Sequence, residues 1–165
     1  MKIRLYLLFL SIFLTGCGVT VRSYQQSSLS DVKIRVEVYN KTYDAGVTYI
    51  FKDACEASLV KKGATVVNVD ENYYIELVIK EVKTTPVSFS VTDIATNYNL
   101  NVKGSFKVFK IDGKSRKKVI ENDFSSLQSF SVTNPDMTET KRQLSIMQAA
   151  YEISEGIKDR LTMLQ

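Results

Sequence analysis

The sequence contains no histidine. Ser-His-Asp and Cys-His catalysis, and zinc sites that use imidazole, are therefore excluded. Glycine and proline are scarce, seven and two in 165 residues, so disorder is expected only in one polar stretch near the N-terminus. Long apolar runs are missing too: the longest, Leu5 to Leu14 with Ser11 inside it, is about half the ~20 residues that a helix needs to cross a bilayer. Only two cysteines are present, Cys17 and Cys55. Carboxylates such as Glu76 and Asp93 stand without a histidine, a metal-ligand cluster or a glycine-rich phosphate loop, and no pair has a spacing that argues for catalysis. The chain is read as non-enzymatic and free of cofactors and metals.

The charge excess is small. There are 22 lysines and arginines against 18 acids, a net charge of +4 and a pI near 9.0. Two of those bases, Lys2 and Arg4, precede the apolar run and form the positive front of a cleavable secretory signal. Without them the charges nearly balance, which gives no case for nucleic acid as a partner.

The run closes on Leu14-Thr15-Gly16-Cys17, which resembles the lipobox of a bacterial lipoprotein precursor. The expected organisation is a signal peptide over 1–16, a lipidated tether over 17–30 and one folded domain over 31–165, a length suited to a single core. In such lipoproteins Cys17 would carry a thioether-linked diacylglycerol and an amide-linked acyl chain. One acyl chain holds a protein marginally and several hold it firmly, at ~0.8 kcal/mol per buried CH2. Gly18 follows, not the Asp that signals inner-membrane retention in these proteins, so the implied address is the periplasmic side of the outer membrane. An acylated Cys17 leaves Cys55 without a partner, and its place on the apolar side of a helix predicts a buried, inert thiol.

Thr20 to Ser30 is polar and aperiodic, a tether by pattern. Val32, Ile34, Val36 and Val38 then alternate with Lys33, Arg35, Glu37 and Tyr39, a strand with one buried face. After Asn40-Lys41-Thr42, with Thr42 or Asp44 as cap, Val47, Ile50, Phe51, Ala54, Ser58 and Leu59 recur at helical spacing up to Lys61-Lys62-Gly63. A short strand over Val66 to Val69 and a long one over Tyr73 to Val82, ended by Thr84-Thr85-Pro86, come next. Val87 to Ala95 reads as a hairpin tip. Tyr98 to Val108 alternates, with Gly104 marking a bulge or a close approach. Asp112-Gly113 turns the chain into a strand from about Lys118 to Phe130. Asn134-Pro135-Asp136 opens a final helix with Leu144, Met147, Tyr151, Ser154, Ile157 and Leu161 in its stripe, widened by Ile146, Ala150 and Ile153. The expected fold is α+β: a two-layer sandwich of one mixed sheet, four to five strands, with two helices on one face. Lys33, Arg35, Tyr39, Tyr74, Val78, Lys80, Asn99, Asn101, Lys103, Lys107 and Phe109 fall on the other face. They suggest either a solvated surface or a basic one that meets a partner or an acidic glycolipid.

Two local strings, in this order of elements, resemble the LPS-assembly lipoprotein family LptE, above all its alphaproteobacterial members. One is Ala95-Thr96-Asn97-Tyr98-Asn99-Leu100-Asn101-Val102, continuing through Phe106 to Asp112-Gly113-Lys114; the other runs from Ser129-Phe130-Ser131-Val132 through Asn134-Pro135 to Ala149-Ala150, Ile153, Ile157 and Leu161. The resemblance implies an outer-membrane lipoprotein that plugs the lumen of a large barrel, LptD, and helps deliver lipopolysaccharide to the outer leaflet. It also implies basic residues that contact lipopolysaccharide. Lys141 matches one such position, with Arg142 beside it; the second falls near Val91, which is not basic. Lys114, Arg116, Lys117 and Lys118 form another basic tip suited to lipid A phosphates. The alternative is a periplasmic binding or activator lipoprotein, similar in topology to YajG or LpoB and unrelated to lipopolysaccharide export.

Overall fold

A computed structural model describes residues 29–91 and 94–164. The signal peptide, Cys17 and all of the tether except Leu29 and Ser30 lie outside the described residues, as does Asp93. The elements are β1 (Lys33–Asn40), α1 (Gly46–Lys61), β2 (Thr65–Val66), β3 (Tyr73–Phe89), β4 (Ala95–Asp112), β5 (Ser115–Ser131), a 3-10 turn (Pro135–Met137) and α2 (Thr138–Thr162). They form one five-stranded sheet in the order β2-β1-β3-β4-β5. β1 runs parallel to β2 and β3, whereas β3, β4 and β5 form an antiparallel meander. The α+β class is as expected: both helices cover one face of a mixed sheet.

The alternation of β1 sends Ile34 and Val36 to the helices, where Ile75, Leu77 and Ile79 of β3 and Val102, Phe106 and Val108 of β4 join them. Val47, Phe51, Cys55 and Leu59 press down from α1, and Ile146, Ala150, Ile157 and Leu161 from α2. Burial of each large side chain contributes about 1.5–3 kcal/mol. Leu29 is fully buried in the same core, and its N–H reaches the carbonyl of Lys62.

Two helix boundaries follow sequence chemistry. Gly63, at φ 99°, lets Gly63 and Ala64 donate back to Val60 and Leu59, the hydrogen-bond pattern that closes a helix on a left-handed glycine. Asn134 accepts from the Asp136 N–H with Pro135 in the first turn, as expected. α1 departs from expectation at its start: Ala45 is the cap and no side chain caps it. Thr42 is bound to Asn40 and Asp44 to Arg142, so neither hydroxyl nor carboxylate is free for the helix.

Four further expectations are corrected. The strand near Val66 is only Thr65–Val66. β3 does not end at Thr84-Thr85-Pro86 but continues to Phe89. β1 stops pairing at Ile79, so Pro86 sits on a free edge where a missing N–H costs no ladder bond. β5 begins at Ser115, earlier than Lys118, because the Gly113 turn (φ 55°) is followed directly by pairing of Ser115 with Asp112. In α2 the stripe is rotated: the expected Ile146, Ala150, Ile153, Ser154, Ile157 and Leu161 are buried and are joined by Ser145 and Ala149, while Leu144, Met147 and Tyr151 are half-exposed. Small residues let the helix approach closely, and the bulky ones flank the contact.

Candidate functional site

The uncovered sheet face is the candidate site. Register places Arg35, Tyr74, Phe109 and Lys118 in one row across the strands, and Glu37, Glu76, Lys107 and Glu121 in the next. Tyr39, Val78, Ser105 and Asp123 form the third. Beyond these the surface turns neutral: Ser129 donates to Asn99 at 2.8 Å, and Ser131 donates to Asn97.

Every cation expected on this face has a carboxylate beside it. Lys33 meets Asp70 at 2.6 Å, Lys80 meets Asp123 at 2.8 Å and Lys103 meets Glu81 at 3.7 Å. Lys107 lies 3.7 Å from Glu76 and 3.8 Å from Glu121, and Arg35 pairs with Glu37. The five expected cations are therefore paired, whereas Lys41, Lys83 and Arg116 on the same face have no ion pair among the described residues. The pairing depends on strand register, which the sequence does not display.

At one corner the row becomes a polar-aromatic cluster. Tyr74 is only 6% exposed although it stands on the open face, because the Arg116 guanidinium lies 3.8 Å from its ring centroid and 4.2 Å from that of Phe109. Such cation-π contacts contribute about 0.5–2 kcal/mol. Glu37 accepts from Tyr74 and Tyr39, each at 2.7 Å. The Tyr74 bond, then the Tyr39 bond and the Arg35 charge, hold the Glu37 carboxyl down at about 2 from an ordinary 4.5. Burial and the same hydroxyl bonds push the Tyr74 phenol upward. Because the folded value is depressed, this stabilisation is fully present above pH 4.5 and is lost as pH falls through about 2. Tyr74→Phe should raise the Glu37 midpoint toward 4.5 in a carboxyl NMR titration. A midpoint that stays near 2 would remove Tyr74 from this account.

The residues expected to touch lipopolysaccharide are scattered. Lys141 is exposed in the first turns of α2. Arg142 is committed to the fold: its guanidinium spans Asp44 at 2.7 Å and Glu139 at 3.0 Å, tying the loop before α1 to α2. Lys114, Arg116, Lys117 and Lys118 do cluster at the β4–β5 turn. Lys118 pairs with Glu121, whereas no ion pair joins Lys114, Arg116 or Lys117 to a carboxylate among the described residues. Arg142 lies beside Val82, level with Ser126 of β5, so the run from Lys118 to Ser126 separates the two groups by roughly 25 Å. Cys55 is buried, and burial pushes its thiol up to about 12, the inert state expected.

A second surface feature was not foreseen. Tyr49, Ile50 and Ala54 of α1 and Met147 and Tyr151 of α2 line a shallow apolar groove, created by the rotation of the α2 stripe.

No protein-family model matches the sequence, and no curated protein is significantly similar to it. Solved structures share the fold at low identity. Protein XCC0632 from Xanthomonas campestris is 8% identical with a TM-score of 0.63, covering 85% of this chain and 88% of that one. A minor lipoprotein from Acinetobacter baumannii is 11% identical at a TM-score of 0.55, covering 79% and 90%. Lipoprotein B from Nitrosomonas europaea is 12% identical at 0.54, covering 86% and 88%. The chain thus has a fold found among bacterial lipoproteins.

Proposed function

We propose that the protein is a lipid-anchored, non-catalytic assembly subunit of the outer membrane whose open sheet face docks inside a large β-barrel partner. In the finer reading that partner is LptD-like, and the pair delivers lipopolysaccharide to the outer leaflet. The observation that carries the proposal is the paired charge on the uncovered face. Transferring an unpaired ion out of water costs several kcal/mol, whereas a cation already held by its carboxylate has exchanged much of its hydration. Where these lysines face acids and Asn-Ser pairs continue the surface, a polar wall can cover it without stranding those charges, and Lys41 and Lys83 on the same face would need acids supplied by that wall. The lipobox at Cys17 and a fold found in lipoproteins support the anchored setting. Lys114, Arg116 and Lys117 supply clustered cations for lipid A phosphates; Lys141 and Lys118 are secondary, and Arg142 is withdrawn from contact by its two ion pairs.

Photocrosslinkers at Asn101 and Lys103, placed in the full chain in intact outer membranes, test this. The expected product is a heavy adduct with one large barrel protein, lost from the membrane fraction when Cys17→Ala removes the anchor. Adducts only with a small soluble protein, together with unaltered surface lipopolysaccharide on depletion, would refute it.

A further inference from the structure

Among the described residues β5 is the last strand of the sheet, and no strand pairs with its outer edge over its 17 residues. Open edges are normally guarded against foreign strands by lysines and bulges, and β5 has both: Lys117 and Lys118, and a register shift where Val108 and Phe109 face Ile120 and Lys118. The extra residue, Val119, changes which way the side chains point. Val119 and Ile120 both pack toward the core, while Lys118 and Glu121 both stand on the open face, where they form an ion pair.

The side-chain directions therefore read the same in both senses from a point between Val119 and Ile120. Outward from that point come Lys118 and Glu121 on the open face, Lys117 and Asn122 on the helix face, and Arg116 and Asp123 on the open face. The charges are mirrored with opposite sign: Arg-Lys-Lys precedes Val-Ile, and Glu-Asn-Asp follows. A strand without the bulge could not satisfy both patterns, since residues an odd number apart would point to opposite faces.

We propose that this edge is a homotypic interface. Two copies pair β5 antiparallel about a two-fold axis between Val119 and Ile120, extending the sheet across both molecules. Lys118 then faces Glu121 of the second copy, Arg116 faces Asp123, and Lys117 faces Asn122, each contact occurring twice. The lysines repel a foreign edge that lacks these acids, and the acids make the same edge acceptable to itself. This pairing draws on Arg116, Lys117 and Lys118, the cations also offered to lipid A phosphates, but its test reads edge pairing alone and does not depend on the barrel reading.

The test is a full chain carrying Lys117→Cys and Asn122→Cys, oxidised mildly in detergent solution. Within one chain these positions lie five residues apart on a strand, roughly 16 Å, too far for a disulfide, whereas directly opposed residues of an antiparallel pair have Cα atoms about 4.5–5.5 Å apart, within disulfide range. The expected result is a covalent dimer from the double variant and none from either single variant. Adding Lys118→Glu should lower the yield by about tenfold, and adding Glu121→Lys to that should restore it. No dimer, equal crosslinking by the single variants, or a yield indifferent to charge reversal would overturn the proposal.

Discussion

Gly104→Ala should destabilise the domain by about 3 kcal/mol or more, even though it adds one methyl group to a strand. A Cβ at this position would overlap the Val78 carbonyl on the neighbouring strand and the Phe124 ring on the other side. The first obstacle is backbone and cannot rotate away. β3 shifts register between Ile79 and Glu81 opposite this site, which brings the Val78 carbonyl over Gly104, while Phe124 is its cross-strand partner on β5. Urea unfolding should give a much lower midpoint at an unchanged slope. A loss under about 1 kcal/mol would mean that the bulge relaxes freely and that the close approach is not a constraint.

The second large effect follows from the same ring. Phe124 lies over the space that glycine leaves and reaches Phe51 of α1, ring centroids 6.5 Å apart. Phe51 is fully buried among Val47, Cys55 and the β3 side chains. Phe51→Ala removes most of that ring and leaves a cavity between helix and sheet, so a loss of about 3–5 kcal/mol is expected. Tyr49→Ala, two residues away on the same helix but 73% exposed, should stay within about 0.5 kcal/mol. Equal costs for the two would show that α1 does not seat through Phe51.

Much of this architecture was legible from local pattern. Strict alternation marked β1, Asn134-Pro135-Asp136 marked the entry to the last helix, and Gly104 announced the tight crossing. Where local chemistry was outvoted, the reading failed. Thr84-Thr85-Pro86 looks like a terminator, yet cross-strand bonds to Leu100, Asn99 and Tyr98 carry β3 through it. Leu144, Met147 and Tyr151 have helical spacing, yet Ser145 and Ala149 join Ile146, Ile153, Ile157 and Leu161 on the buried side because small residues there permit closer packing. The uncovered face was legible in the alternation, but the pairing of its charges was not. Lys107 finds Glu76 and Glu121 from two other strands, a proximity that no window of sequence contains.

The place where the chain enters the fold has its own consequence. Leu29 bonds to Lys62, Asn72 bonds to Lys33, and Ile111 bonds to Asn72, so entry occurs at the end that holds the Lys114–Lys118 turn. β3 then runs 17 residues in the other direction, roughly 55 Å, to a hairpin where Val87, Phe89, Val91 and Ile94 are exposed. The cationic turn and the oily hairpin thus stand at opposite ends of the long antiparallel strands, so a surface that takes the one meets the other only by spanning the length of the sheet.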